Sequence, residues 1–326
     1  MTTSNRPTSM QGQNQIEAFA GQRILAMDPR AEKPLRACPA CSAREAINLG
    51  IKNELEIVRC LICRSIYCSY TPWYTSERYY IDYYSHHGLD LPPVVAKRLR
   101  EITGGFSQYR KTNRLLDLGC GAGSLLEAAR AHGWDAQGID VSISSVNHVR
   151  ELGFEVFHGE LIQAQLMSEQ FDVIAAVEIL EHLFDPVNVV KEAYRLLRPG
   201  GLFWLTTPHG RGLPARVLGL DWRVVSPPEH LQLFSVTGLK TLLESAGFRQ
   251  INLRTTGGNP FELWRGVRAR NNPVQTAQGN FNAVASNYRL NEAMTKSRTR
   301  QALKNALNGL LNLTRLGDSL TGFAVR

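Results

Sequence analysis

From Arg114 onward the chain predicts an α/β fold: a mostly parallel sheet of seven strands with helices on both faces, preceded by a small cysteine-held module. Three observations carry that expectation. Strand and helix signals alternate regularly through the second half of the chain. A glycine-rich turn joins the first of these strands to its helix. Ahead of that body, four of the six cysteines fall in two C-x-x-C pairs.

Each element has its own justification. RLLDLG (114–119) is apolar and flanked by turn residues, as a buried strand should be, and SLLEAARAHG (124–133) is a helix closed by glycine. DAQGIDVS (135–142) is the second strand, followed by a helix to Leu152, and FEVFHG (154–159) is the third. FDVIAAVEIL (171–180) is a continuous apolar run entering a turn, which fits a strand buried on both faces. Val189, Val190, Ala193, Leu196 and Leu197 recur at helical spacing until Pro199 and the glycines stop them. GLFWLTT (201–207) is the fifth strand. Ser235 caps a helix that ends at Gly247, and FRQINLRTT (248–256) is the sixth strand. Near the end, Leu303, Ala306, Leu307, Leu310 and Leu313 share one helical face, and residues 318–326 supply a seventh strand. Residues 257–300 then read as an insertion before that last strand.

Upstream, residues 1–30 are rich in Ser, Thr, Asn and Gln and read as a disordered lead-in; 31–70 hold the cysteine module, and 71–112 an aromatic linker and a helix. The body spans 113–326. No run of about 18 apolar residues is present, so no membrane-spanning helix is expected. The first fifteen residues offer no apolar segment for a signal peptide, and C-x-x-C pairs suit a reducing compartment; the chain is expected to be cytoplasmic. The net charge is +8, and residues 262–326 carry ten Lys/Arg against three Asp/Glu, so nearly all the excess lies in the last fifth. That is a local basic element rather than a uniformly basic nucleic-acid binder. Arg265, Arg268, Arg270, Arg298 and Arg300 read first as a solvated face. As a binding surface they would meet a phosphate-bearing substrate or an anionic membrane peripherally.

The sharpest signal is LLDLGCGAGSLLEAA (115–129). Gly119, Gly121 and Gly123 form a G-x-G-x-G turn, and Ser124 stands where a dinucleotide-binding turn would place its third glycine. Glycines here let backbone approach a ligand at the carboxyl edge of the sheet. Asp140 ends the next strand, 17 residues after Gly123, where a carboxylate can accept both hydroxyls of a ribose. With Asp117 before the turn and Glu160 after the third strand, the set specifies a Rossmann-like nucleoside site.

DLGCGAG, followed by GID, FDVIAAVEILEHL, LLRPGGLFWLTTP and HLQLFSVTGLKTLLESAGF, resembles the class I S-adenosylmethionine-dependent methyltransferases over about 113–256 plus the final strand. The resemblance implies S-adenosyl-L-methionine as cofactor. It places Asp117, Gly119, Gly121 and Gly123 against the methionine and ribose, and Asp140 on the ribose. It places Glu160 and Leu161 along the adenine, and Val177 and Glu178 near the sulfonium. The missing third glycine and the Glu181-His182 pair argue against a nicotinamide domain.

Cys38-x2-Cys41, eighteen residues, then Cys60-x2-Cys63 is zinc-ribbon spacing: two knuckles complete a tetrahedral four-sulfur site with no open position, so a Zn2+ there would be structural. The glycine usual after each knuckle's second cysteine is Ser42 in one and Arg64 in the other. Cys68 and Cys120 read as packed thiols. A ribbon of this kind ahead of such a body resembles a bacterial group that contains sugar C-methyltransferases.

Methyl transfer to a hydroxyl or carbon acid needs a base, and histidine suits that near neutral pH. His182, His209 and His230 fall in loops at the cofactor edge. The sugar C-methyltransferase resemblance implies His230 as base, Glu229 as its partner or a substrate binder, and His182 as a second active-site histidine. His209 reads as structural. One of Tyr79, Tyr80, Tyr83 and Tyr84 is expected to close over the cofactor or substrate. The expected acceptor is a small molecule or a glycan-linked group. Alternatives are a phenolic or quinone-precursor O-methyltransferase, suggested by FDVIAAVEILEHL, and a zinc-ribbon nucleic-acid binder on a methyltransferase-like body. Residues 35–70 show no strong basic patch, which disfavours nucleic acid. SPPE at Ser226 follows the fifth strand rather than the fourth, which disfavours amino-group methylation.

Overall fold

The computed structural model describes residues 36–70, 93–258, 263–264, 266–268 and 297–326. The expectations for residues 1–30, for the four tyrosines and for most of the 257–300 insertion lie outside them.

The cysteine module is an antiparallel meander of β1 (Ala46–Lys52), β2 (Leu55–Cys60) and β3 (Ile66–Cys68). The body begins with α1 (Pro93–Gly105) and then alternates: β4 (Arg114–Leu118), α2 (Ser124–Ala131), β5 (Asp135–Asp140), α3 (Ile143–Glu151) and β6 (Glu155–His158). Next come β7 (Phe171–Val177), α4 (Pro186–Leu196), β8 (Leu197–Pro208) and the short α5 (Leu213–Leu218). The chain continues through β9 (Gln232–Leu233), α6 (Val236–Ala246), β10 (Gln250–Thr256), α7 (Arg298–Thr314) and β11 (Ser319–Val325).

The main sheet has seven strands in the order β10-β11-β8-β7-β4-β5-β6. Strands β4 to β8 run parallel within it, and β11 is antiparallel to both β8 and β10. Period-two alternation sorts the strand residues into two cores. Leu115, Val173, Ala175, Leu202 and Trp204 pack with α1, α2 and α3 on one face. Leu116, Ile174, Ala176, Phe203 and Leu205 pack with α4 and α6 on the other. The central strand β7 is buried from Phe171 to Ala176, which is why its sequence shows no polar alternation.

Two boundaries depart from the sequence reading. The helix ending at Leu196 gives way at once to β8, which pairs Phe171 with Leu197 and then skips to pair Val173 with Leu202. Pro199 and the two glycines are thus accommodated at a register shift inside the strand, where a missing N–H costs no regular ladder bond. The other departure is in the cysteine module, whose sheet recruits a strand from the body: Ile66 pairs with Leu233 and Tyr67 with Gln232. Leu55, Ile57, Ile66 and Cys68 share a core with Leu218, Trp222, Val225 and Leu231. Among the described residues, no helix is long and apolar enough to cross a membrane.

Candidate functional site

The glycine turn leaves β4 at the carboxyl edge of the sheet. All three glycines have positive φ (+67° at Gly119, +49° at Gly121, +80° at Gly123), a region that side chains disfavour. Their surroundings differ. A Cβ on Gly119 would lie 2.1 Å from Ile179 Cδ1, and one on Gly123 would lie 3.1 Å from Val149 Cγ2. Gly121 alone of the three faces open space, with nothing within 4 Å of a Cβ. The outer two glycines therefore allow packing, and the middle one leaves room for a ligand.

Asp140 is buried beside that opening. Its carboxylate accepts the Gly121 N–H at 2.8 Å through Oδ2 and the Ser142 N–H at 2.8 Å through Oδ1, which fixes its orientation and leaves further lone pairs on both oxygens. Burial raises its pKa, and the two backbone N–H groups oppose the rise. Asp117 is buried close by; desolvation and the Asp140 charge lift its carboxyl well above the usual range. Two buried carboxyls facing an open glycine turn suit a ligand that brings hydroxyls and positive charge, so the residues present fit S-adenosylmethionine. Leu161 is buried. The Glu160 side chain caps the helical turn at Leu161–Ala164, in a reciprocal bond with Gln163. Cys120 packs against Gly138, whose Cβ would stand 2.7 Å from its sulfur.

Beyond β7, half-buried Val177 leads to Glu178, which is exposed with φ +53°. Ile179 packs against Gly119, so the segment that carries Glu181 and His182 leaves β7 from beside the glycine turn. His182 Nδ1 donates to the Glu229 carbonyl at 2.8 Å, and His230 Nδ1 donates to the Val224 carbonyl at 2.6 Å. A carbonyl only accepts, so Nδ1 of each ring carries a proton; in the neutral imidazole Nε2 then holds the lone pair. The two ring centroids are 4.7 Å apart. Burial lowers the His182 pKa to about 3, with His230 pushing the same way, so His182 stays neutral. The Glu229 carboxylate accepts from Ser226 Oγ at 3.0 Å.

Glu181 completes this cluster; the sequence reading uses it only with His182 against a nicotinamide domain and gives it no role in the site. It is fully buried; Oε2 accepts from Thr207 Oγ1 at 2.9 Å, while Oε1 has no hydrogen-bond partner and lies 3.9 Å from His182 Nε2. Burial and the Glu178 carboxylate raise its pKa well above the ordinary value. Buried Asp172 makes the contrast: burial would raise its pKa too, but three backbone N–H groups and Arg198 outweigh that and hold it low. The spacing E-x-x-E-H was the available signal for Glu181, since residues three and four apart share a side of a helical turn. Glu181, His182 and His230 bring one oxygen and two ring nitrogens within 4.8 Å of one another, a donor set able to hold a metal ion. His209 lies apart from this cluster. It is buried, bonds the Gly317 carbonyl at 2.8 Å, and burial lowers its pKa to about 4.

The cysteine module positions the His230 loop. Asn53 Nδ2 donates to the Pro227 carbonyl at 2.6 Å, and Lys52 Nζ donates to the carbonyls of Leu220 and Trp222. On the other side, the Cys68 N–H donates to the Leu231 carbonyl, and Gln232 Nε2 donates to the carbonyls of Leu180 and Leu183. Within the module the four sulfurs of Cys38, Cys41, Cys60 and Cys63 lie within 4.8 Å of one another, with Cys38–Cys63 at 3.5 Å and Cys41–Cys60 at 3.6 Å. A tetrahedron of Zn–S bonds of ~2.3 Å has edges of about 3.8 Å, so the donor set fits Zn2+. Ser42 (φ +60°) and Arg64 (φ +68°) adopt the left-handed conformation that the usual knuckle glycine would supply. Each knuckle closes alike, through Ser42 N–H to the Cys38 carbonyl and Arg64 N–H to the Cys60 carbonyl.

Residues 93–253 match the family described as "Methyltransferase domain". Over 101 residues the chain is 39% identical to the ubiquinone biosynthesis O-methyltransferase of Pseudomonas putida (strain W619), and 37% identical to that of Pseudomonas aeruginosa (strain UCBPP-PA14). Each match covers 29% of this chain and 44% of the relative, so the chain spans less than half the length of these curated relatives. Among solved structures, a SAM-dependent methyltransferase from Archaeoglobus fulgidus is 18% identical with a TM-score of 0.48, covering 72% of this chain and 93% of that one.

Proposed function

We propose that the chain, whose residues 93–253 match the methyltransferase-domain family, transfers the methyl group of S-adenosylmethionine to a hydroxyl or carbon of a small-molecule or glycan-linked acceptor, with His230 as general base. The observation that supports this most is the close pair of imidazoles, 4.7 Å apart, each with Nδ1 tied to a carbonyl so that Nε2 is the ring nitrogen left to face an acceptor.

S-adenosylmethionine, when bound, supplies an electrophilic methyl group on a sulfonium. Asp140 and the Gly119–Gly123 turn would hold it, with Asp117, Leu161 and Val177 lining its site and Glu160 shaping the turn at the adenine end. His230 Nε2 takes the proton of the acceptor O–H or C–H as that atom gains the methyl group, and the new N–H leaves positive charge on the ring. Glu229 and Ser226, bonded to each other in the His230 loop, orient the acceptor and offset that charge. Neutral His182, fixed through the Glu229 carbonyl, holds the loop against β7 and presents a second acceptor nitrogen. Residues 31–70 serve as a structural zinc module in this reading, and 113–326 as the transferase body. Packing of the module onto the Leu220–Leu233 segment favours a positioning role for it over nucleic-acid contact.

A second reading, O-methylation of a phenolic or quinone-precursor acceptor, draws support from the identity to relatives named for ubiquinone biosynthesis. Incubation of the purified protein with methyl-labelled S-adenosylmethionine and fractionated host extract separates the two. Label in a sugar or glycan fraction, lost in His230→Ala, supports the first; label in a phenolic lipid fraction supports the second; label in RNA or protein refutes both.

A further inference from the structure

The sequence places the leucines of α7 on one helical face, as for a helix that packs them inward, yet α7 is mounted the other way round. Its polar side meets the sheet edge: Asn312 Oδ1 accepts the Thr255 N–H at 2.9 Å, Asn308 Oδ1 accepts the Gly257 N–H at 3.3 Å, and the Leu311 carbonyl accepts from Thr255 Oγ1 at 2.7 Å. The apolar side faces outward. Leu303, Leu307, Leu310 and Leu313 are 64%, 48%, 56% and 82% exposed. Four outward leucines on a helix held by its asparagines are a patch, not the scattered apolar exposure of an ordinary surface.

α7 is linked through α5 to the segment of a second exposed apolar residue. The Leu213 N–H at the start of α5 donates to the Leu316 carbonyl just beyond α7. α5 in turn meets the segment bearing Trp264, since a Cβ on Gly266 would stand 2.6 Å from Leu218. Trp264 is 58% exposed, with the Arg268 guanidinium 5.1 Å over its ring. The helix is basic: from Arg298 to Arg315 the sequence holds four Lys/Arg and no Asp or Glu, with Arg300 and Arg315 exposed and half-buried Lys304 near Arg98 and Glu101.

We propose that this face, the leucine side of α7 together with Trp264, docks on an anionic lipid bilayer, with the helix lying in the interface. Charge selects that occupant. A second copy of the chain would set one basic patch against another, which is repulsive. A nucleic acid would meet the arginines but leave the leucines without an apolar partner. An anionic bilayer satisfies both, since acyl chains take the leucines, phosphate headgroups take the basic residues, and an indole sits at the boundary. Such docking would bring the carboxyl edge of the sheet to acceptors held in or on the membrane.

The test is co-flotation of the full chain with vesicles of phosphatidylcholine, and of phosphatidylcholine and phosphatidylglycerol in equal parts, at low and high salt. The comparison variant is Leu303→Gln/Leu310→Gln/Leu313→Gln, whose positions are exposed and whose fold is checked by thermal melting. The wild type should float with the anionic vesicles and less so at high salt, and the variant's bound fraction should fall by roughly tenfold with an unchanged melting temperature. Binding of the variant equal to wild type, or no binding of the wild type to anionic vesicles, overturns the proposal. So does a dimer in sedimentation velocity that the triple variant dissociates, because a second copy would then hold the face. Flotation is read without cofactor or acceptor, so its failure leaves the methyl-transfer reading untouched, and the reverse holds as well.

Discussion

The glycine turn and the His230 loop both meet the segment that follows β7, the turn at Ile179 and the loop at the Glu181 carbonyl, yet they are built by different means. The turn is local: the Gly121 N–H and the Asp140 carboxylate it binds are 19 residues apart, joined by one strand-helix-strand unit. The His230 loop is held from far away, by Lys52 and Asn53 across 168, 170 and 174 residues. Under the proposed function, the cofactor half would thus depend on backbone conformation within the sheet, and the acceptor half on a clamp supplied by the cysteine module. Disturbing one half should leave most of the other in place.

Metal removal should break the acceptor half and produce the largest effect. Without zinc the two knuckles lose their common anchor, and β3 loses its hold on β9. A displacement of about 1 Å in a catalytic group costs roughly a hundredfold in rate. Chelator-treated protein, or Cys60→Ser, should therefore lose methyl transfer by about that factor while S-adenosylmethionine affinity, followed by calorimetry, changes little. An equal loss of both would merge the two halves.

Two alanine substitutions sharpen the cofactor half. Gly121 and Gly123 both have positive φ, so each substitution carries ~1–2 kcal/mol of backbone strain. Gly121→Ala also fills the open space over the turn, and should weaken cofactor binding about tenfold or more. Gly123→Ala instead crowds Val149, and should lower the melting temperature with a smaller effect on binding. Calorimetry and thermal melting on the two variants compare these outcomes directly.

A smaller, pH-dependent difference separates the buried histidines. The folded-state pKa values of His182 and His209 lie near 3 and 4, below the ordinary 6.5 of the unfolded chain. Between those limits the unfolded state binds protons that the folded state does not, so their contribution is complete above about pH 6.5 and is lost as pH falls. For His209 it amounts to roughly 3 kcal/mol at most. The fall in melting temperature between pH 7 and pH 5 should be shallower in His209→Gln than in wild type, and equal slopes would refute the assignment.

The same contrast explains what the sequence disclosed. The seven strands, the glycine turn, Asp140 and the two cysteine knuckles were legible because each follows from residues close in the chain. Glu181 was harder to see, because its significance is an unpartnered oxygen in a buried place, and burial is a tertiary property. The grip of Lys52 and Asn53 on the His230 loop left no mark in composition or periodicity. α7 was legible as a helix, but not its orientation: the leucine spacing is the same whether that face turns in or out, and the anchoring bonds of Asn308 and Asn312 decide it.

The most direct test of the two-half account is S-adenosylmethionine binding by calorimetry, run on Asp140→Ala and His230→Ala together with a labelled-methyl assay. Asp140→Ala should lose affinity by roughly ten- to a hundredfold, the worth of hydrogen bonds to a charged group. His230→Ala should bind as wild type does, yet transfer methyl about a hundred- to ten-thousandfold more slowly. Loss of cofactor affinity in His230→Ala, or undiminished affinity in Asp140→Ala, would contradict the division of the site.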